Sequence, residues 1–190
     1  MNTFCQTILM EKKESEFRSH IDRIAKYEVI TDKIEEEVAS YLTKVSQNEL
    51  SERTSEKIRA MLSMVGDMER IADIYYQISK TTERKRKNKI WFIPEQRERL
   101  LAMYSLMNQI LENMCKNLEM RYSEVELTEA KKLEKSLNKL RKEIRKEHFT
   151  NVEKGEYRYD NAAIYSELFN SLEKIGDHAI SVTQSITGEA

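Results

Sequence analysis

The chain is poor in the two residues that most often interrupt helices. It has one proline and four glycines among 190 residues, whereas 39% of the residues are hydrophobic, enough to form a core. Because proline and glycine mark most turns, so few of them predict few turns. We therefore expect an all-α protein of long helices, and the composition argues against a β-sandwich or an α/β fold.

The remaining breaks divide the chain into six predicted helices. The polar stretch from Asn48 to Ser51 is the first clear break, with Ser51 as a helix N-cap. Pro94 suits a first helical turn, Thr128 is expected to cap the next helix, and Gly155 is the last interior break. These breaks predict helices over 2–14, 17–46, 51–87, 94–121, 128–153 and 157–187.

Two of these helices carry long apolar stripes with the spacing of a helical bundle. Such a stripe needs a partner surface, which antiparallel neighbours would supply. In the last helix the stripe consists of Ile164, Leu168, Leu172, Ile175, Ala179, Val182 and Ile186. In the second helix it consists of Tyr27, Ile30, Ile34, Val38, Tyr41 and Val45.

The chain also repeats itself. Residues 61–79 align with residues 165–183 at an offset of 104, with six apolar or small positions in common. At an offset of 106, residues 27–38 align with residues 133–144. This predicts two tandem three-helix bundle repeats, a spectrin-repeat-like arrangement, over residues 1–90 and 91–190. The first helix is about half as long as its counterpart at 94–121. A cut from a longer protein and a natively short helix both explain this difference.

Acidic residues four positions apart recur at matching places in the two repeats. Residues with this spacing share one helix face, about 5–6 Å apart. The pairs are Glu28 with Asp32, Glu69 with Asp73, and Glu173 with Asp177, and a fourth, Glu134 with Asn138, keeps one carboxylate. Oxygen ligands suit hard cations, and repetition in register favours metal binding over solvated charge.

Two other functions fit the same residues. In a metal-free helical scaffold or interaction module the pairs would be solvated charge only. In a carboxylate-bridged metalloenzyme they would hold a reactive cluster, but the sequence has no Glu-x-x-His, no glycine-rich phosphate loop and no nucleophile elbow. We therefore expect a protein that is not an enzyme.

Charge and hydropathy restrict the partners. The net charge of -1 gives no overall attraction to nucleic acid, and no apolar run is long enough to span a membrane. Cys5 and Cys115 lie far apart in sequence, which fits a reducing compartment. The segment Lys80–Phe92 is a basic cluster followed by apolar residues. It is either a solvated helix end or a surface for acidic headgroups or transporter loops.

Several of these motifs resemble the PhoU family. The segments 68–73 (MERIAD) and 172–178 (LEKIGDH) resemble the LERIGDHA signature that ends the third helix of each PhoU repeat. Residues 28–35 look like the acidic motif of the second helix. The segments at 41–42, 50–52 and 140–148 are similar to the PhoU-like domain that follows the membrane domain of bacterial sodium/phosphate cotransporters.

The resemblance implies a metal-binding, non-catalytic regulator of phosphate transport and homeostasis. The ions would be divalent or trivalent (iron, manganese, zinc, nickel or magnesium), the partner a transporter membrane domain, and the location cytoplasmic at the inner face of the cell membrane. A homodimer is left open. Asn138 replaces a carboxylate of the family pattern, and Arg141, which aligns with Glu35, would repel a cation. We therefore expect a weak or empty site on the fifth helix.

Overall fold

A computed structural model describes residues 1–10, 13–47 and 49–188 of the chain. These residues form six α-helices and no strand, which confirms the all-α prediction, although the first helix is short. The helices are α1 (Asn2–Met10), α2 (Glu14–Ser46), α3 (Glu52–Lys87), α4 (Pro94–Glu119), α5 (Thr128–Glu153) and α6 (Tyr159–Thr187), with a short 3-10 turn at Tyr122–Glu124.

Three of the predicted helix ends are confirmed. The Ser51 hydroxyl accepts a hydrogen bond from the Thr54 amide at 3.3 Å, which caps α3. Pro94 is the first residue of α4, where its missing N–H has no cost. Gly155 ends the α5 region with a φ of +70°, a left-handed conformation that favours glycine.

The predicted bounds of α5, 128–153, are confirmed, but Thr128 is not its N-cap. Thr128 is the first residue inside α5, and its predecessor Leu127 has no side chain that could cap the helix. Leu127 is buried, so apolar burial rather than capping positions this start. Two other helix starts differ from the prediction, because α2 begins at Glu14 rather than at residue 17 and α6 at Tyr159 rather than at residue 157. Asn48, part of the predicted break before α3, lies outside the described residues.

Hydrogen bonds between helices define the arrangement of the bundle. Thr81 and Ser63 of α3 pair with Glu167 and Ser185 of α6, so these two helices are antiparallel. By contrast, α4 runs parallel to α6, since its first turn bonds to the start of α6 and its last turn to the end of α6. Helices α1 and α2 pack on α3, and α5 packs on α4 and α6.

The predicted stripe of α6 forms the centre of the core. All seven of its residues are buried, and Leu172, Ile175 and Val182 have no exposed surface. The contacts of α6 explain this burial, because α3, α4 and α5 all pack against it. None of the helices in the described part of the chain has an apolar stretch sufficient to cross a bilayer.

Four of the six residues of the α2 stripe are exposed, contrary to expectation, and the other two are half-buried. Tyr27, Ile34 and Tyr41 keep 46%, 53% and 66% of their surface exposed. The reason is the length of α1, whose nine residues cover only the start of the stripe, where the Phe4 ring stacks on Tyr27. By contrast, the longer α4 packs on α5, and Ile144, which the sequence alignment pairs with Val38, is fully buried.

Candidate metal centre

Helices α2 and α3 together bring three of the predicted carboxylates to one point. Oxygen atoms of Glu28, Asp32 and Asp73 all lie within 4.8 Å of one another. Glu28 and Asp32 occupy consecutive turns of α2, and Asp73 reaches them from α3. The within-helix spacing predicted the pairs, and the structure adds that α2 and α3 contribute to the same cluster.

Two carboxyl groups at or beside this first cluster have a raised pKa. Burial, followed by the charges of Asp32 and Asp73, raises the pKa of Glu28. Burial also raises the pKa of Glu69, with further contributions from the charge of Asp73 and a hydrogen bond to it. No lysine or arginine of the described residues forms an ion pair with the three carboxylates of the cluster or with Glu69 beside them.

One oxygen of the first cluster is buried without a hydrogen-bond partner. The Oδ1 atom of Asp32 is inaccessible to solvent and accepts no hydrogen bond from the described residues. A buried carboxylate oxygen without a partner is costly, and a cation would remove that cost. The donor set consists of oxygen atoms only, which fits Mg²⁺ or Mn²⁺ and iron in carboxylate clusters.

Among the described residues, the other predicted carboxylates do not meet in a group of three as Glu28, Asp32 and Asp73 do. We call the predicted residues of α5 and α6 (Glu134, Asn138, Glu173 and Asp177) the second cluster, and this cluster has a cation beside it. Arg141 of α5 donates two hydrogen bonds to one oxygen of Glu173 in α6, through Nε at 2.7 Å and through Nη2. The two side chains are mostly buried, with 19% and 16% of their surface exposed. Burial, followed by the charges of Glu173 and Glu134, raises the pKa of Asp177, which the charge of Arg141 partly offsets.

The remaining member of this cluster, Asn138, is half-buried one turn after Glu134 on α5. The weak second site stays a prediction, and the ion pair between Arg141 and Glu173 gives it a physical basis. A guanidinium group already supplies positive charge where a metal would have to bind.

A polar contact that we did not predict connects α3 and α6. The Nδ1 atom of His178 lies 2.9 Å from Oδ1 of Asp67, which is buried. His178 therefore faces α3 rather than a cluster of carboxylates. Asp67 lies three residues after Met64 and four before Ile71, which is the spacing of buried positions on one helix face. This spacing could have predicted from the sequence that Asp67 is buried.

The first cluster lies inside a segment that matches a protein-family model. Residues 9–82 match the PhoU domain. The PhoU segment spans about two fifths of the chain and contains α2 and most of α3, hence Glu28, Asp32, Glu69 and Asp73. It supports the resemblance to the PhoU family, whereas the link to sodium/phosphate cotransporters stays a prediction. No curated protein matches the chain, and no solved structure matches it either.

The raised pKa of Glu28 predicts how its replacement acts at different pH. A carboxyl whose pKa is raised by folding weakens the folded state once pH rises through that pKa, and has no such effect when protonated. In metal-free buffer, Glu28→Gln should therefore increase the free energy of unfolding at pH 7.5, by about 0.5 kcal/mol or less. The gain should vanish near pH 4.

Urea unfolding at the two pH values measures this effect. Glu37→Gln is the control, because Glu37 is exposed on the same helix and is not in the cluster. An equal gain for Glu28→Gln at both pH values would show that repulsion within the cluster is not its cause.

Proposed function

We propose that this chain is a non-catalytic, metal-binding regulatory domain in phosphate homeostasis. It would act in the cytoplasm as part of, or partner to, a sodium/phosphate cotransporter. One observation carries the metal-binding part of the proposal. Three carboxylates of two helices converge within 4.8 Å, inside the segment that matches the PhoU domain.

The geometry suggests how such a site would regulate. Glu28 and Asp32 on α2 repel Asp73 on α3 as long as no cation is bound. A bound metal ion would supply the positive charge that these carboxylates lack. Asp73 would then hold α3 against α2, so occupancy of the site would favour one arrangement of the two helices.

The exposed stripe of α2 supports a partner protein as the recipient of this signal. Ile34 and Tyr41 are large apolar residues with more than half of their surface exposed, and they lie on the same helix as Glu28 and Asp32. An apolar helix face of this kind fits docking of another helix, here one from the transporter. A metal-dependent shift of α2 would change that face directly.

Elemental analysis tests the metal part of the proposal. The purified protein is dialysed separately against manganese, iron, zinc, nickel and magnesium, and bound metal is measured by mass spectrometry after exchange. We expect wild type to retain metal and Asp32→Asn/Asp73→Asn to lose it. Asp177→Asn is the matched control in the second cluster and should retain it. Equally low content in all three would favour a metal-free scaffold.

Uptake of labelled phosphate by cells tests the transport part. Deletion of the chain should change the uptake rate, and Asp32→Asn/Asp73→Asn should reproduce that change at an unchanged protein level. Normal uptake in the deletion strain would contradict a role in phosphate transport while leaving the metal result intact.

A further inference from the structure

Lys85 is a buried lysine without a carboxylate partner. It lies in the last turn of α3 with 8% of its surface exposed. No Asp or Glu of the described residues forms an ion pair with it. Its Nζ atom lies over two aromatic rings instead, 4.7 Å from the centre of the Phe92 ring and 5.5 Å from that of Trp91.

Lys85 lines a small cavity together with other basic side chains. The cavity has a volume of about 90 Å³, and Arg86, Lys89 and Arg97 line it together with Lys85. Arg86 has a carboxylate partner in Glu14. Within the described part of the chain, neither Arg97 nor Lys89 forms an ion pair. Positive charge therefore exceeds negative charge at this place, although the chain as a whole is close to neutral.

Apart from these cations and Thr82, the residues that line the cavity are apolar or aromatic. Leu9, Phe17, Ile90 and Phe92 are among them, and all four are buried. Such walls lower the local dielectric constant, which strengthens the attraction between these cations and an anion. Burial, followed by the charges of Arg97 and Arg86, lowers the pKa of Lys85, so a bound anion would stabilise its protonated form.

We propose that this cavity between the end of α3 and the start of α4 binds a phosphate group. Several cations suit a doubly charged tetrahedral oxyanion better than a single carboxylate. The volume admits a few water-sized groups, whereas a nucleotide needs a cavity of several hundred Å³. The phosphate group is either free orthophosphate or the headgroup of an anionic phospholipid. The inference is independent of metal binding at the first cluster.

Trp91 provides a direct signal for binding. It is the one tryptophan of the chain, it lines the cavity, and 74% of its surface is exposed. Sodium phosphate is titrated at constant ionic strength and pH 7.5 while Trp91 emission is recorded. We expect a saturable change for wild type, and an affinity about tenfold weaker for Lys85→Met, as for the loss of one hydrogen bond to a charged group.

Two further variants keep the test decisive. Lys87→Met removes the same charge from an exposed residue outside the cavity and should leave the affinity within about twofold of wild type. Arg97→Met should weaken binding as Lys85→Met does, and circular dichroism checks that each variant is folded. Equal weakening by Lys87→Met and Lys85→Met, or no saturable change for wild type with either ligand source, would overturn the proposal.

Vesicles distinguish the two sources of phosphate. Phosphatidylcholine vesicles with and without phosphatidic acid replace orthophosphate in the same assay. A headgroup ligand predicts a blue shift of Trp91 emission with phosphatidic acid only, reduced by Lys85→Met and by competing orthophosphate. Orthophosphate as the ligand predicts saturation without a vesicle response. Vesicle binding that is equal in wild type and Lys85→Met, with no orthophosphate response, would overturn the cavity as the binding site.

Discussion

Replacing Arg141 with methionine should destabilise the metal-free protein by about 2 kcal/mol or more. The change leaves the mostly buried Glu173 without its guanidinium partner, next to Asp177 and Glu134. Removal of one partner of a buried ion pair costs several kcal/mol, because the remaining charge stays desolvated. Chemical denaturation with a chelator present measures the loss.

The same variant should gain a response to metal. Without Arg141, the negative charges of Glu134, Glu173 and Asp177 lose the guanidinium group beside them, so Mn²⁺ or Mg²⁺ should restore part of the lost stability. Lys142→Met is the control, because Lys142 is the exposed neighbour on α5 and its loss should change stability by less than about 0.5 kcal/mol. Two results would contradict the account, namely a loss no larger than that of the control and a stability that metal leaves unchanged.

The second large effect concerns two glycines that lie in helices. A Cβ atom at Gly176 of α6 would lie 2.3 Å from Cδ2 of Leu137, whereas one at Gly66 of α3 would meet nothing within 4 Å. Leu137 has 1% of its surface exposed, so it has little room to move. We expect Gly176→Ala to destabilise the protein and Gly66→Ala to stabilise it, with a difference of about 2–3 kcal/mol between them.

Denaturation of the two variants measures this difference, and a double-mutant cycle identifies its cause. If the clash with Leu137 is responsible, Gly176→Ala and Leu137→Ala should together cost less than the sum of their separate effects. Additive losses, or a gain in stability for Gly176→Ala, would show that α5 does not pack as closely on Gly176 as the structure has it.

The sequence was sufficient to predict the class of the fold and most helix ends. Because the chain has few prolines and glycines, few turns were expected, as the six helices show. The apolar stripe of α6 is buried along its whole length, as its spacing predicted. The stripe of α2 shows that an apolar stripe alone does not determine whether its residues are buried. Its period predicts burial, but burial depends on a neighbouring helix that is long enough, and α1 ends after nine residues. Periodicity within one helix carries no information on that length.

The sequence predicted which acidic residues share a face of one helix, but not which helices contribute to the same site. Spacing identified the pairs Glu28 with Asp32 and Glu69 with Asp73, but not that α2 and α3 bring three of these carboxylates together. The alignment placed Arg141 opposite Glu35, and the structure pairs it with Glu173 of the adjacent helix. Lateral contacts of this kind depend on how helices are rotated and staggered, which the repeat pattern does not specify.

Thermal unfolding with and without metal tests the central claim most directly. Calorimetry of the chelated protein is repeated with Mn²⁺ or Mg²⁺ for wild type, Asp73→Asn and Asp177→Asn. At a metal concentration about a hundredfold above Kd, binding contributes about 2.7 kcal/mol, a rise in Tm of about 5–10 °C for a chain of this size. The account predicts that rise for wild type and Asp177→Asn and none for Asp73→Asn. A Tm that metal leaves unchanged in wild type, or raises equally in Asp73→Asn, would contradict metal binding at the first cluster.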